Sequence, residues 1–209
     1  MLCIDWQVRL LQPAGTRKAQ QTADPKGLLG WDQAFYLCQS ILFALLLFTF
    51  QNNIALLPEK RSLGDTAVSG RVLAVQSTVG ILSGILGGKI LSKLGKSSLP
   101  WIFLVSSAGM LLILLGRDMI LFYAAAAMLG FVFSLRMPAG YLKATSSAAP
   151  GQATMATAVY CCSSSLGQFL SPFCVNGAAA TLDGKFLISA IVLFAVGILS
   201  LAFECRKQT

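Results

Sequence analysis

The sequence contains no histidine and only eight acidic residues among its 209 positions. Charged residues make up 11% of the chain, whereas a soluble globular domain carries about 25%. With 56% hydrophobic residues, the chain cannot cover its own surface in water. The composition therefore excludes an ordinary soluble domain, a disordered chain and a nucleic-acid-binding module. The net charge of +8 has another explanation, because basic residues in short cytoplasmic loops orient membrane helices.

The missing histidine also limits the chemistry. None of the six cysteines has a C-x-x-C spacing, and we interpret them as free thiols that act as small apolar residues. We expect no metal site and no cofactor, because neither cysteines nor carboxylates cluster. The same absences argue against the alternative of an integral-membrane enzyme. All the acidic residues fall in loops or at the ends of apolar segments, so we expect no proton-driven transport.

Long intervals without any charge define the expected architecture. A helix needs about 20 apolar residues to cross the hydrocarbon core, and lipid-facing backbone must bond to itself. The charge-free intervals predict an all-α membrane protein with a six-transmembrane-helix bundle over residues 32–204. The predicted spans are 33–53, 68–91, 99–116, 119–142, 152–176 and 185–203. We expect residues 1–31 to form a polar cytoplasmic arm and residues 205–209 a cytoplasmic tail.

The basic residues predict the orientation of these spans. Ten of them would lie on the side of both termini: Arg9, Arg17, Lys18, Lys26, Lys89, Lys93, Lys96, Lys143, Arg206 and Lys207. Five would lie on the opposite side: Lys60, Arg61, Arg71, Arg117 and Lys185. Because positive charge is retained inside, we expect both termini in the cytoplasm and the protein in the plasma (inner) membrane.

Small residues recur at helical spacing within the spans. In the second span Gly80, Gly84 and Gly88 lie on one face, and a neighbouring helix can approach closely there. The same spacing occurs in the fourth span, around Gly130, and in the fifth, around Gly167. Such faces suit either static packing or sliding during a transport cycle, and the spacing alone does not separate the two.

Few polar residues lie inside the spans. We predict that Gln76, Arg136 and Gln168 bind substrate, because polar groups in membrane helices are costly and commonly functional. Two alternatives stay open at this point. Arg136 would also be accommodated if its long side chain snorkelled to the head groups. The glutamines would also be accommodated by hydrogen bonds to neighbouring helices.

Two segments carry a resemblance to a known family. Gly88, Lys93, Gly95 and Lys96 match a loop motif of the major facilitator superfamily, with Ser92 where an aspartate is expected. Residues 151–158 and 165–172 resemble the penultimate helix of such transporters. Residues 1–31 resemble the linker between their two halves. The chain thus resembles the carboxy-terminal half, over about residues 20–205.

The resemblance implies a function and a missing partner. Members of that family bind substrate between two six-helix halves, and this chain supplies one half. We therefore expect a membrane transporter, or half of one, that moves a small solute by alternating access together with a second half or in a homodimer. The family's loop motif gates that cycle. The alternative is a truncated or accessory half that binds a partner and does not transport by itself.

Overall fold

The computed structural model describes residues 30–61, 66–116, 118–148, 151–179 and 181–206. In these ranges the backbone forms helices and turns and no strand. The helices are α1 (Trp31–Asn53), α2 (Leu56–Lys60), α3 (Thr66–Leu94), α4 (Ser98–Leu115), α5 (Met119–Ser146), α6 (Ala153–Ala178) and α7 (Leu182–Arg206). The polar arm predicted over residues 1–31 lies outside the described residues except for its last two.

A long helix occurs at each of the six predicted spans, and helix ends differ from the predicted ones by about one turn. Five of these helices, α1, α3, α4, α5 and α7, are long and apolar enough to cross a membrane. The described part of the chain is therefore all-helical, and its five apolar helices are those of a membrane protein. Helix α6 is as long as the others but more polar, since serines fill positions 163–165 and a glutamine follows at position 168.

The six long helices pack in a pattern with internal symmetry. The three most extensive interfaces join α1 to α6, α3 to α5, and α4 to α7. The first three long helices are α1, α3 and α4, and the last three are α5, α6 and α7. If each helix of the first set is exchanged with its counterpart in the second, the α1–α6 pair becomes the α5–α3 pair. The α4–α7 pair is unchanged by the same exchange. Two three-helix repeats of inverted orientation would give this pairing.

The core lies between α1, α4, α5 and α7. Its largest fully buried side chains are phenylalanines from those four helices: Phe43, Phe50, Phe103, Phe122 and Phe186. Phe43 and Phe103 meet edge to face with ring centroids 4.9 Å apart. Helix α3 lies at the edge, because only 17% of its apolar window is buried in the bundle, against 56% for α1. Van der Waals packing of this kind holds helices together where lipid removes the hydrophobic driving force.

The connection between α3 and α4 differs from the expected loop. Helix α3 continues through the predicted gating motif to Leu94, and residues Gly95–Ser97 form a single 3-10 turn. Gly95 ends the helix with φ +53°, the left-handed conformation that glycine adopts at no steric cost. Gly88 and Lys93 are therefore helical, and only the end of the motif, at Gly95 and Lys96, lies in the turn between the helices.

Candidate functional site

An open groove with a volume of about 690 Å³ lies between α1, α3 and α5. Its polar lining comes from all three helices, and the rest of its wall is apolar or glycine. The polar side chains are Gln51, Gln76, Ser77 and Ser134. Each of these helices is apolar enough to cross a membrane, so the groove gathers uncharged hydrogen-bonding groups between otherwise apolar helices. Such groups are expensive against lipid and suit a polar ligand or an aqueous path.

Glycines bring the two long walls of the groove into contact. A β-carbon added to Gly80 would lie 3.4 Å from the carbonyl oxygen of Gly130, and one added to Gly84 would lie 2.9 Å from Ser134 Oγ. A β-carbon on Gly130 would overlap the backbone carbonyl of Gln76. Gly88 does not share this contact, because nothing lies within 4 Å of its missing β-carbon. The predicted glycine face therefore meets α5 at two of its three positions.

The three residues predicted to bind substrate do not come together. Gln76 lines the groove. Gln168 is half-buried on α6, outside the groove lining. Its neighbour Gly167 lies against α1, where a β-carbon would overlap the carbonyl of Ile41. Of the predicted set, Gln76 alone has a place in the groove.

Arg136 lies inside the bundle, with 3% of its surface exposed. Its Nη2 donates to Ser164 Oγ on α6 and to Met137 Sδ at 3.1 Å, and its guanidinium carbon lies 5.3 Å from the centre of the Phe43 ring. These contacts hold the guanidinium between helices inside the bundle. Arg136 therefore does not lie on an exposed face of the bundle.

A buried ion pair that the sequence did not predict joins α5 to α7. Lys143 Nζ lies 2.6 Å from Glu204 Oε1, and the hydroxyl of Tyr36 on α1 donates to the same oxygen at 3.1 Å. The side chains of Lys143 and Glu204 are 11% and 6% exposed. Lys143 was expected among the loop charges, and Glu204 at a span end. Both lie in helices whose packing buries them, at the end of the bundle where α1 begins.

A second unpredicted cluster lies at the opposite end. Arg61 Nη1 donates to the carbonyls of Ile113 and Gly116, the latter at 2.7 Å, and its Nη2 lies 2.8 Å from Asp183 Oδ1. The guanidinium thus covers the carboxy-terminal end of α4, where a cation is favourable, and pairs with an acid in the first turn of α7. Residues 61 and 183 were expected in loops, and no local pattern reveals that they meet.

Metal-ligating side chains do not gather anywhere in the part of the chain that the structure describes, where no group of three or more acidic or cysteine residues could hold an ion. The described cysteines are free thiols on α1, α6 and α7.

Comparisons with known proteins identify no relative: no family model, no curated protein and no solved structure matches the chain. The class that the fold defines is an all-helical membrane protein with a polar groove between three of its helices.

Proposed function

We propose that the chain is one six-helix half of a membrane transporter that moves a small solute by alternating access. The groove between α1, α3 and α5 is the observation that carries the proposal. It brings four uncharged polar side chains together on helices that are otherwise apolar, and it opens to the bundle surface. A structural helix bundle gains nothing from such a feature, because the same positions filled by apolar residues would pack against lipid without cost.

The helix pairing supports the same proposal. Inverted repeats of three helices, related by a pseudo-two-fold axis in the membrane plane, build each half of a major facilitator superfamily transporter. The α1–α6, α3–α5 and α4–α7 interfaces have the arrangement that such a repeat requires. In this proposal α6 is the fifth of six spans. At about 1.5 Å per residue its length exceeds the hydrocarbon thickness of about 30 Å.

The groove lining suggests how a solute would be held. Gln51 and Gln76 offer both donors and acceptors, and Ser77 and Ser134 offer hydroxyls. None of the lining residues is charged, so the solute that fits best is small, polar and neutral. This chain contributes only one wall. A second six-helix half, or a second copy of the chain, would close the groove and pair the polar groups that otherwise cost roughly 1–3 kcal/mol each.

An accessory half that binds a partner without transporting is the second candidate, and α6 favours it. This helix is too polar to count among the five apolar spans, yet much of its surface is exposed. Met155 and Phe169 on α6 are exposed beside Cys162 and Ser165. A mixed face of this kind suits contact with protein more than contact with lipid.

Alternating access can be tested without knowing the solute. In a background whose native cysteines are replaced by alanine, Ser77→Cys places a single thiol in the groove. Two preparations of sealed vesicles, one right-side-out and one inside-out, are then treated separately with a membrane-impermeant thiol reagent. We expect position 77 to react from both sides of the membrane, because the groove opens to each in turn.

The control is Ile198→Cys on α7, an exposed apolar position away from the groove, which should react from neither side. Reaction of position 77 from one side only would contradict alternating access and favour the accessory half. Reaction from neither side would mean that the groove faces lipid.

The motif at the end of α3 gives a prediction about gating. Ser92 donates to the carbonyl of Lys89 at 2.9 Å and is exposed, so an aspartate there would meet solvent and the neighbouring cations. If the segment restrains the transport cycle, Ser92→Asp should strengthen that restraint. We expect the ratio of the labelling rates of position 77 from the two sides of the membrane to change by about threefold. Ser92→Asn is the uncharged control. If the labelling ratio does not change, Lys89 and Lys93 serve only to orient the helices in the membrane.

A further inference from the structure

Gln76 is the most deeply buried of the four polar side chains that line the groove. It is 5% exposed, and the groove is the space that it lines. Its amide has no hydrogen-bond partner among the described residues. A buried amide without partners is strongly unfavourable unless a ligand supplies them. The side chain is therefore placed for recognition and not for holding α3 against α5.

The hydroxyl groups beside Gln76 are also unused. Elsewhere on α3, Thr78, Ser83 and Ser92 each donate to a carbonyl three or four positions earlier in the same helix. Such a bond satisfies a hydroxyl within its own helix. Ser77 on α3 and Ser134 on α5 make no such bond in the part of the chain that the structure describes. The groove therefore keeps a hydrogen-bonding capacity that the rest of α3 satisfies internally.

The composition of the groove wall limits the chemistry of its ligand. No charged residue lines it, so an ion would be buried there without a counter-charge. Apart from the four polar side chains, the wall is apolar or glycine and includes Phe133, which is 37% exposed. A sugar carries hydroxyl groups around its whole rim, and this wall would leave several of them unpaired. The ligand that suits the groove has one polar edge and apolar faces.

The carboxamide of Gln76 is complementary to one kind of edge. Its Oε1 and Nε2 place an acceptor and a donor side by side, at a spacing that the covalent structure fixes. The complement is a molecule whose own donor and acceptor are adjacent, such as the N–H and C=O of a cyclic amide. Glutamine pairs with the edge of a nucleobase through two hydrogen bonds in the same way. One side chain thus supplies both contacts.

We propose that the groove binds small neutral ring compounds with an adjacent N–H and C=O, a class that includes lactams and pyrimidine bases, and that Gln76 pairs with this edge. The inference rests on the proposed function of the groove and names the class of solute. The faces of the ring lie against the apolar wall that includes Phe133. Ser77 and Ser134 are then available to other polar substituents of the ring.

The test is the thermal stability of the full chain, purified in detergent, with uracil and valerolactam as probes. A ligand that binds the folded state raises the melting temperature in a saturable way. We expect a rise of about 3–6 °C at a tenfold excess of the better probe over its dissociation constant. Dimethyluracil, methylated on both ring nitrogens, keeps the ring and lacks the N–H groups, so it should give no rise.

The two probes also distinguish the two sources of the amide edge. A larger rise with uracil would identify pyrimidine-like solutes, and a larger rise with valerolactam would identify lactams. A melting temperature that responds to neither probe would overturn the proposal. So would an equal rise with dimethyluracil, because the paired N–H would then not be needed.

The variant Gln76→Leu separates recognition from a structural role. Leucine removes an amide that has no partner, so without a probe the variant should melt at the same temperature as the unaltered chain or higher. It should also lose the response to both probes. A lower melting temperature without a probe would show that the amide bonds within the folded chain, and the proposal would fail. An unchanged response to the probes would refute it equally.

The matched control is Gln168→Leu on α6, where the side chain is half-buried and lies outside the groove lining. This variant should keep the full response to the probes. Because these measurements need no vesicles, their failure is distinguishable from a failure of alternating access. Probe binding with reaction of position 77 from one side only would leave a ligand site in a half that does not transport. Reaction of position 77 from both sides without probe binding would leave the transporter and remove this class of solute.

Discussion

Replacing Gly130 with alanine is expected to separate α3 from α5 and to destabilise the bundle by about 1–3 kcal/mol or more. The added methyl group would overlap the backbone carbonyl of Gln76. A backbone atom in the middle of a long helix cannot turn aside as a side chain can, so the two helices must move apart. The measurement is the free energy of unfolding in detergent, followed by circular dichroism as denaturant increases.

The matched control is Gly88→Ala on α3. Nothing lies within 4 Å of a β-carbon there, and alanine favours a helix over glycine by about 1 kcal/mol. This variant should therefore be as stable as the unaltered chain or slightly more stable. Equal stability of the Gly130→Ala and Gly88→Ala variants would contradict the close contact that shapes the groove.

Replacing Glu204 with glutamine should have the second large effect, a loss of about 3–5 kcal/mol of stability. The substitution keeps the shape of the side chain and removes the charge that compensates Lys143 in a buried site. Tyr36 would also lose a charged acceptor. The free energy of unfolding of the purified chain measures the loss.

The double variant Lys143→Met with Glu204→Leu is the control for that result. It removes both charges and fills the site with apolar groups, and such replacements are often neutral or stabilising. We expect it to recover most of the stability that Glu204→Gln loses. A double variant as unstable as the single one would mean that the ion pair acts through something other than its buried charge.

The number and position of the long helices could be predicted from the sequence because they depend on local composition. A charge-free run long enough to cross lipid has few structural alternatives. The glycine spacing on α3 also predicted a contact face, since a helix places every fourth residue on one side. Gly88 is the exception: its neighbour Gly87 faces Leu135 on α5 instead, which the spacing does not reveal.

The buried charges could not be predicted in the same way. Lys143 and Glu204 are 61 positions apart, and their pairing depends on how α5 and α7 meet. Arg136 was recognised as unusual, but its surroundings come from α1, α5 and α6 together. The groove likewise needs residues from three helices, of which the sequence indicated Gln76 and not Gln51 or Ser77. The position of a residue along one helix follows from the local sequence, whereas the composition of a site between helices depends on how those helices pack.

A bundle of six membrane spans requires α6 to cross the membrane, and α6 is the long helix whose hydropathy does not decide whether it does. Its two ends can be labelled directly in a background without native cysteines, with Ala153→Cys at one end and Gly177→Cys at the other, both exposed positions. An impermeant thiol reagent applied to sealed vesicles of known orientation reports the side of each. Six spans predict that positions 153 and 177 react from opposite sides of the membrane. Reaction of both from the same side would contradict the six-span bundle and, with it, the transporter half proposed for this chain.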